Sequence, residues 1–402
     1  MSKPNTQALK AIYIAVLCFV SYIAVSIARN ILGTVTPQMI ESGTFTASEI
    51  GILSSVYFIV YAVGQLINGI IGDKIKAKYM IGFGLIFAGI SNTIFIYFHE
   101  SNLTAYAAYA MVGFFVSMIY GSMAKTVAEN LEPLYATRCS ILYVFIAFMG
   151  SPLAGILAAL MAWEAAFQTS SALLFIMAIL VFILYYLYEK RGIVKFGEYV
   201  PKEKGIRNIS ILIRYRIIRF TIVSAITGII RTTVVFWLPT YIAQYLGYSA
   251  EHSALLFTIV TVFISASAFI SLFVYEKIFR SNMDRTILAA FITASVSFLG
   301  VYLIPQTAVN LAFMTLAILA SNCAATITVS RYCPSLKETG FVSSAAGYLD
   351  FISYIAAAAA SAIFADAINS IGWKGLIIIW FLLTASGIIT MAIKKKGRSV
   401  NV

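Results

Sequence analysis

The sequence predicts an all-α integral membrane protein, with 12 transmembrane helices arranged as two six-helix, pseudo-symmetric bundles. Three observations carry that prediction. Of the 402 residues, 61% are hydrophobic and only 11% charged, too little polar surface for a soluble chain of this length. Continuous apolar runs of roughly 20 residues or more recur from end to end, each long enough to cross about 30 Å of hydrocarbon. The two halves of the chain also carry the same landmarks in the same order.

The spans fall at about 11–38, 49–72, 79–98, 103–127, 138–161, 166–188, 219–245, 252–275, 286–304, 308–331, 340–365 and 372–392. They are helices rather than strands because the runs are continuous, not alternating, and lipid admits only helices or closed barrels. The first run is too long for a signal peptide. It carries Arg29, and no small-residue cleavage pattern closes it.

The net charge of +12 is topological. Lys3, Lys10, Lys74, Lys76, Lys78, Lys190, Arg191, Lys195, Lys202, Lys204, Arg207, Lys277, Arg280, Arg285, Lys337 and the terminal "KKKGR" fall in alternate loops. The intervening loops hold Glu41, Glu49, Glu100, Glu164 and Glu251, with Lys374 as the one base. This positive-inside pattern puts both termini in the cytoplasm of a multi-pass cell-membrane protein and argues against a nucleic-acid partner. Cys18, Cys139, Cys323 and Cys333 lie in spans or at cytoplasmic ends, so neither a disulfide framework nor a metal site is expected.

The polar stretch from Glu189 to Arg216 divides six spans from six. The expected organisation is an N-terminal bundle over 1–189, a cytoplasmic linker over 190–218 and a C-terminal bundle over 219–402. Arg29 precedes Pro37 by eight residues, as Arg231 precedes Pro239, and the two pairs are 202 residues apart. "TASE" before span 2 answers to "YSAE" before span 8. Asp73-Lys74-Ile75 answers to Glu276-Lys277-Ile278, and Trp163 to Trp373. Four landmarks in order mark an internal repeat. Two parallel six-helix halves resemble the major facilitator transporters, which implies a substrate site near midplane between the halves. "GIIGDKIKAK", residues 69–78, resembles the signature those transporters carry between spans 2 and 3, although Lys76 stands where a glycine is usual. Asp73, Lys74, Glu276 and Lys277 are therefore read as gating residues between helices.

Of the 28 lysines and arginines, only Arg29 and Arg231 lie deep in spans; of the 16 acids, only Asp350 does. Counted from the span ends, all three sit about 15 Å deep. A charge at that depth costs at least about 3 kcal/mol and marks a function by default. The faces beside them are polar: Tyr22, Ser26, Gly33 and Thr36 around Arg29; Ser224, Thr227 and Gly228 before Arg231; Ser343, Gly347 and Tyr354 with Asp350; Tyr57, Tyr61, Gln65 and Asn68 in span 2. Two guanidinium groups, one per half, would clamp a small anion, since they stay charged and present a planar fork of donors. Asp350 is either a static partner of one arginine or a functional group, protonatable or exchangeable with substrate. Lys125, Arg138 and Arg331 near cytoplasmic span ends suit snorkelling or gate ion pairs. His99 and His252 lie in outer loops, so no histidine relay is available. No nucleotide-binding loop, catalytic triad or cofactor motif is present, and an enzyme or ATP-driven pump is not expected.

On "RNILGTVTPQMIESG", "RTTVVFWLPTYI", "YEKIFRSN" and "SSAAGYLDFISY", the chain resembles the organophosphate:phosphate antiporter family over nearly its whole length. The resemblance implies exchange of a phosphorylated metabolite for inorganic phosphate by alternating access. Arg29 and Arg231 would be the phosphate-binding arginines, and Tyr22 a substrate-proximal tyrosine. A monomer working without cofactor follows by the same analogy. The departures are Asn30 and Gln65 in place of lysines, Met149 in place of a histidine, and the negative Asp350. The expected binding set is thus Arg29, Arg231, Tyr22, Asn30, Tyr57, Tyr61, Gln65, Asp350 and Tyr354. With Asp350 ionised its net charge is about +1, so a carboxylate, a monoanion or a zwitterion rivals a phosphate monoester. A proton- or sodium-coupled symporter of sugar acids, of the anion:cation symporter type, is the nearest alternative. A non-transporting anion sensor is another. A proton-driven drug exporter is disfavoured because two arginines would repel cationic compounds.

Overall fold

Polar side chains set where the apolar runs begin to coil. The computed structural model describes residues 6–196, 215–336 and 342–393. Most of the linker, with Lys202, Lys204 and Arg207, lies outside the described residues, as do Lys3, Lys337 and the terminal "KKKGR". Helix α1 covers Thr6–Glu41, α2 Ala47–Lys74, α3 Ala77–Tyr97, α4 Asn102–Asn130, α5 Pro133–Leu160 and α6 Trp163–Lys190. Then follow α7 over Ile217–Gln244, α8 over Ala250–Ile278, α9 over Met283–Leu303 and α10 over Thr307–Ser335. The last, α11, covers Val342–Ala392. Among the described residues these 11 helices are long and apolar enough to cross a membrane.

The repeated "T/S-A-E" landmarks prove to be helix starts. Thr46 accepts from the Glu49 amide while the Glu49 carboxylate accepts from the Thr46 amide, a reciprocal capping box on α2. At the start of α8 the Ser249 hydroxyl accepts from the His252 amide at 3.4 Å. At the other end of the chain, α11 runs for 51 residues. At 1.5 Å per residue that is about 77 Å, more than two bilayer crossings. It breaks at Gly372, whose φ of 67° and ψ of 178° only glycine adopts cheaply. Its two arms, before and after Gly372, are compatible with the 12 expected spans.

The chain divides into two compact units, Met1–Lys202 with Ser249–Ile259 and Glu203–Tyr248 with Val260–Val402. In the first, α1 packs on α5 and α6, α2 on α4, and α3 on α4 and α6. Aromatic contacts fill its outer core, with Phe95 and Phe167 rings 5.0 Å apart and Phe95 and Tyr109 5.5 Å apart. Buried amides bridge helices where lipid offers no competing partner: Asn68 to Ser117 at 2.8 Å and Asn92 to Ser171 at 3.1 Å. In the second unit α7 packs on the first arm of α11, and α9 on α10 and α11. Ser295 meets Thr384 at 3.0 Å, and the Phe298 and Trp380 rings meet at 5.7 Å with a tilt of 50°. Arg219 donates from Nε to the Thr390 carbonyl at 3.1 Å and from Nη2 to the Met391 carbonyl. It thereby satisfies the carbonyl end of α11, which has no helical partner.

One contact occurs in both units. A Cβ on Gly150 of α5 would overlap the backbone of Ser26 on α1, and a Cβ on Gly228 of α7 would overlap that of Ser353 on α11. Ser26 and Gly228 are 202 residues apart, Gly150 and Ser353 203. The repeat therefore preserves a backbone-to-backbone touch while exchanging which helix supplies the glycine. Small residues permit such approach, and approach is what holds membrane helices together. Three residues past that touch stand Arg29 in one unit and Arg231 in the other.

Candidate functional site: two arginine-bearing helix faces

In the first unit Arg29 projects from α1 onto α2. Its guanidinium carbon lies 5.2 Å from the centroid of the Tyr61 ring, a cation–π distance. The ring is held from both sides. Tyr57 stacks on it at 6.0 Å and 11°, and Gln65 donates from Nε2 to the Tyr61 hydroxyl at 3.2 Å. Tyr57 in turn packs against Tyr109 at 5.2 Å. Both Tyr57 and Tyr61 are buried. The stacked rings form a buried aromatic floor beneath the guanidinium.

Tyr22 and Asn30 share α1 with Arg29 and make contacts toward α4 and α5. Tyr22 is buried in a cluster with Tyr143 at 4.6 Å and Tyr120 at 6.3 Å, and the Tyr143 hydroxyl donates to the Tyr120 carbonyl at 3.2 Å. Asn30 donates to the Ser26 carbonyl at 2.7 Å and accepts from the Ser151 hydroxyl at 2.9 Å. The Oδ1 end of its amide thus ties α1 to α5, while the Nδ2 end bonds within α1 at the close contact described above.

In the second unit Arg231 sits inside a π-helical stretch, Ile229–Val234, within α7. Such a wider turn adds one residue to the helix and re-aims the side chains after it. Arg231 Nη2 lies 3.8 Å from Asp350 Oδ1 and 3.5 Å from Ser353 Oγ, both on the first arm of α11. Among the described residues these are its polar partners. A charge-assisted pair closes to about 2.7–2.9 Å, so this pair is in ionic range without being drawn tight. The side chains are 29% and 37% exposed, and the pair is not sealed in the core. Thr233 anchors the same helix, donating to the Ala357 carbonyl at 2.9 Å. Tyr354, one turn beyond Asp350, is buried. Gly347, one turn before it, faces open space, and the Ser343 side chain is outside the described residues.

Of the expected gating residues, Glu276 accepts from Arg331 at 3.1 Å, and Arg331 also covers the Tyr275 ring at 4.9 Å. Glu276 and Lys277 lie in one π-helical turn, Val274–Ile278, and Arg331 in another, Thr328–Tyr332. Lys277 and Lys74 are exposed. Asp73 is the penultimate residue of α2, and its side chain is outside the described residues. Next to it, Lys125 donates to the Gly72 carbonyl at 2.8 Å, closing the end of α2.

Sequence reading missed four residues at these faces. Ser353 had a signal, since it lies three residues past Asp350 on the same helix. Tyr120, Tyr143 and Ser151 had none, because their partners on α1 are some hundred residues away in the chain. A cavity of about 570 Å³ in the first unit is lined by Gln38, Glu41, Glu164 and Glu251 among others. It shares no residue with either arginine face, and its acids suit an anion poorly. Among the described residues no group of three His, Cys, Asp or Glu side chains could hold a metal ion.

Comparison with known proteins agrees with this architecture. The model of the Major Facilitator Superfamily matches residues 18–361. The phosphoglycerate transporter protein of Salmonella typhimurium is 22% identical over 405 residues, covering 92% of this chain and 85% of the relative. The membrane sensor protein UhpC of the same organism is 31% identical over 104 residues, 26% of this chain and 23% of the sensor. That match spans about a quarter of the sensor's length. The crystal structure of a D-xylose-proton symporter superposes with a TM-score of 0.75 at 11% identity, covering 94% of this chain and 96% of that one. At that identity the likeness concerns the fold. The chain belongs to the Major Facilitator Superfamily, a multi-pass membrane protein with the family and fold of transporters.

Proposed function

We propose that the chain is a secondary transporter of a small organic anion, working by alternating access, with Arg29 and Arg231 holding the anion from the two halves. The observation that carries this reading is positional. Each arginine stands three residues beyond a close helix contact within its own unit, Ser26 on Gly150 in the first and Gly228 on Ser353 in the second. Two expensive membrane charges at equivalent places in a repeat call for a common ligand. Guanidinium groups suit phosphate or carboxylate because their donors match a planar pair of oxygens. A ligand engaging both halves binds one conformation of the pair more tightly than the others. Such differential affinity is what shifts a conformational equilibrium.

The phosphoglycerate transporter relative favours a phosphorylated metabolite as the substrate; its exchange for inorganic phosphate rests on the antiporter resemblance alone. The symporter reading differs in coupling a carboxylate to a proton or sodium ion. A second reading, a sensor that binds an anion without moving it, is favoured by the similarity to a membrane sensor over 26% of the chain.

Purified protein in proteoliposomes separates these. Uptake of labelled phosphate that rises when unlabelled phosphate is preloaded indicates exchange. Uptake of a carboxylate driven by an imposed proton or sodium gradient indicates symport. A chain that binds phosphate or carboxylates in detergent but never accumulates them is a sensor. Absence of both binding and uptake across phosphate, phosphate esters, sugar acids and short carboxylates sinks the anion reading.

A further inference from the structure

We infer that the first unit carries a binding site for an anionic phospholipid, with the headgroup phosphate at Lys76 and Lys78 and an acyl chain along Tyr79, Phe83 and Phe87 of α3. The site shares no residue with the arginine faces and stands whether or not they bind substrate.

The inference starts from charge at one end of α3. Phe196, six residues past the end of α6, stacks on Tyr185 at 5.9 Å. Two ammonium groups meet its ring, Lys76 Nζ at 5.6 Å and Lys78 Nζ at 5.8 Å from the centroid. Lys78 is paired with Glu189 of α6 at 2.6 Å. Lys76 is exposed and has no ion pair among the described residues. The three groups leave one positive charge, and a phosphodiester brings one negative charge. Charges on the adjoining segments add to the excess: Lys74, Lys125, Lys190, Arg191 and Lys195 against Asp73 and Glu129. Each such base near a membrane surface strengthens the hold on an anionic lipid about fivefold.

An apolar track begins where the lysines end. Lys78 Nζ lies 5.1 Å from the centroid of the Tyr79 ring. Tyr79, Phe83 and Phe87 recur every four residues and so share one face of α3. Their rings stack in succession, at 6.2 Å and 16° and then at 6.2 Å and 29°. All three are between 42% and 45% exposed, and Phe182 of α6 backs the ladder, edge-on to Phe83 at 5.8 Å. Helix α3 has 21 residues and is about 32 Å long, the thickness of the hydrocarbon core. Lys76 and Lys78 therefore stand at headgroup depth, and the ladder runs down among the acyl chains. A phospholipid presents a phosphate and then a chain in that order. A soluble anion would match only the lysines, and an apolar helix only the rings.

The test titrates thermal stabilisation of the purified full chain in a neutral detergent. The lipid probes are dioleoylphosphatidylglycerol and dioleoylphosphatidylcholine, which has the same chains and no net charge. Glycerophosphoglycerol and inorganic phosphate supply the anion without chains. The wild-type chain should bind phosphatidylglycerol at least fivefold more tightly than phosphatidylcholine. Lys76→Gln should weaken phosphatidylglycerol about fivefold, and Lys76→Glu, a change of two charges, about twenty-fivefold, both leaving phosphatidylcholine unaltered. Phe83→Ala should weaken both lipids at least threefold and preserve their ratio. Lys374→Glu, an exposed lysine of the second unit, should change neither. Equal binding of the two lipids by the wild-type chain, or a preference that survives Lys76→Glu, overturns the inference. So does glycerophosphoglycerol binding as tightly as the lipid and lost in Lys76→Glu, which makes the site one for soluble anions. Unaltered lipid binding in Phe83→Ala removes the chain track, and a dimer in detergent that Phe83→Ala disperses makes a second copy the occupant; either result also overturns it.

Discussion

Substituting Gly228 with alanine tests the helix contact on which the Arg231 face is built. The added Cβ would stand 2.6 Å from the Ser353 Cα and closer still to the Ser353 carbonyl oxygen, whereas real Cβ atoms essentially never come within 3.0 Å of a neighbour. Backbone atoms cannot rotate aside. Bringing the carbonyl oxygen, the nearest backbone atom at 2.4 Å, to ordinary contact, which begins at 3.4 Å, therefore requires α7 and the first arm of α11 to part by about 1 Å. Over-packing of this kind costs about 1–3 kcal/mol, and the rigid neighbours place this case near the upper end. The same retreat would lengthen the Arg231–Asp350 separation from 3.8 Å to about 4.8 Å, but Coulomb attraction scales as the inverse distance and falls by only about a fifth. Packing, not the ion pair, decides the loss. Thermal unfolding of the purified protein in detergent should show Gly228→Ala melting several degrees below wild type. Gly347→Ala is the control. It lies on the same arm of α11 with nothing within 4 Å of the added carbon, and alanine's better helix propensity should leave it level or slightly raised. Equal melting of Gly228→Ala and wild type, or an equal fall in both variants, would refute the argument.

Two further outcomes follow from the same geometry. Tyr61→Leu removes the ring beneath Arg29 and with it a cation–π contact of about 0.5–2 kcal/mol, so phosphate or carboxylate titrations should weaken by about two- to thirtyfold. Tyr61→Phe keeps the ring, loses only the Gln65 hydrogen bond, and should stay within about threefold. Glu276→Gln breaks the pair with Arg331, whose members are 51% and 40% exposed. Melting should change by under about 1 kcal/mol, while a gating role requires a clear change in uptake rate; unaltered uptake would make the pair merely structural.

The sequence made the bundle legible because its signals are local. Apolar length gives spans, and "TASE" and "YSAE" proved to be capped helix starts. The interval between spans 11 and 12, read as a loop, instead stays helical up to Gly372. A single glycine with φ of 67° makes the break, and hydropathy does not register a one-residue break. The site was legible in its charges and less so in its partners. Arg29 and Arg231 stand out because membrane charges are rare. Tyr57, Tyr61 and Gln65 share a helical face, and the structure gathers them under Arg29. Asn30, expected beside the anion, bonds to Ser26 and to Ser151, a residue 121 positions away that no periodicity could associate with it. The π-helical stretch around Arg231 is equally silent in sequence, since it shifts the helical register without changing composition. Sequence alone does not choose between a static and a functional role for Asp350; its 3.8 Å separation from Arg231 gives it a partner without closing the pair.

The most direct test of the central claim is ligand-induced stabilisation of the wild-type chain beside Arg29→Lys and Arg231→Lys, with phosphate, a phosphate ester, a sugar acid and short carboxylates. A ligand that binds only the native state raises its melting temperature. Lysine keeps the charge but lacks the planar fork. The account predicts that at least one anion stabilises the wild-type chain and that each variant, folded and melting near wild type without ligand, loses that stabilisation. Undiminished stabilisation in either variant would contradict it.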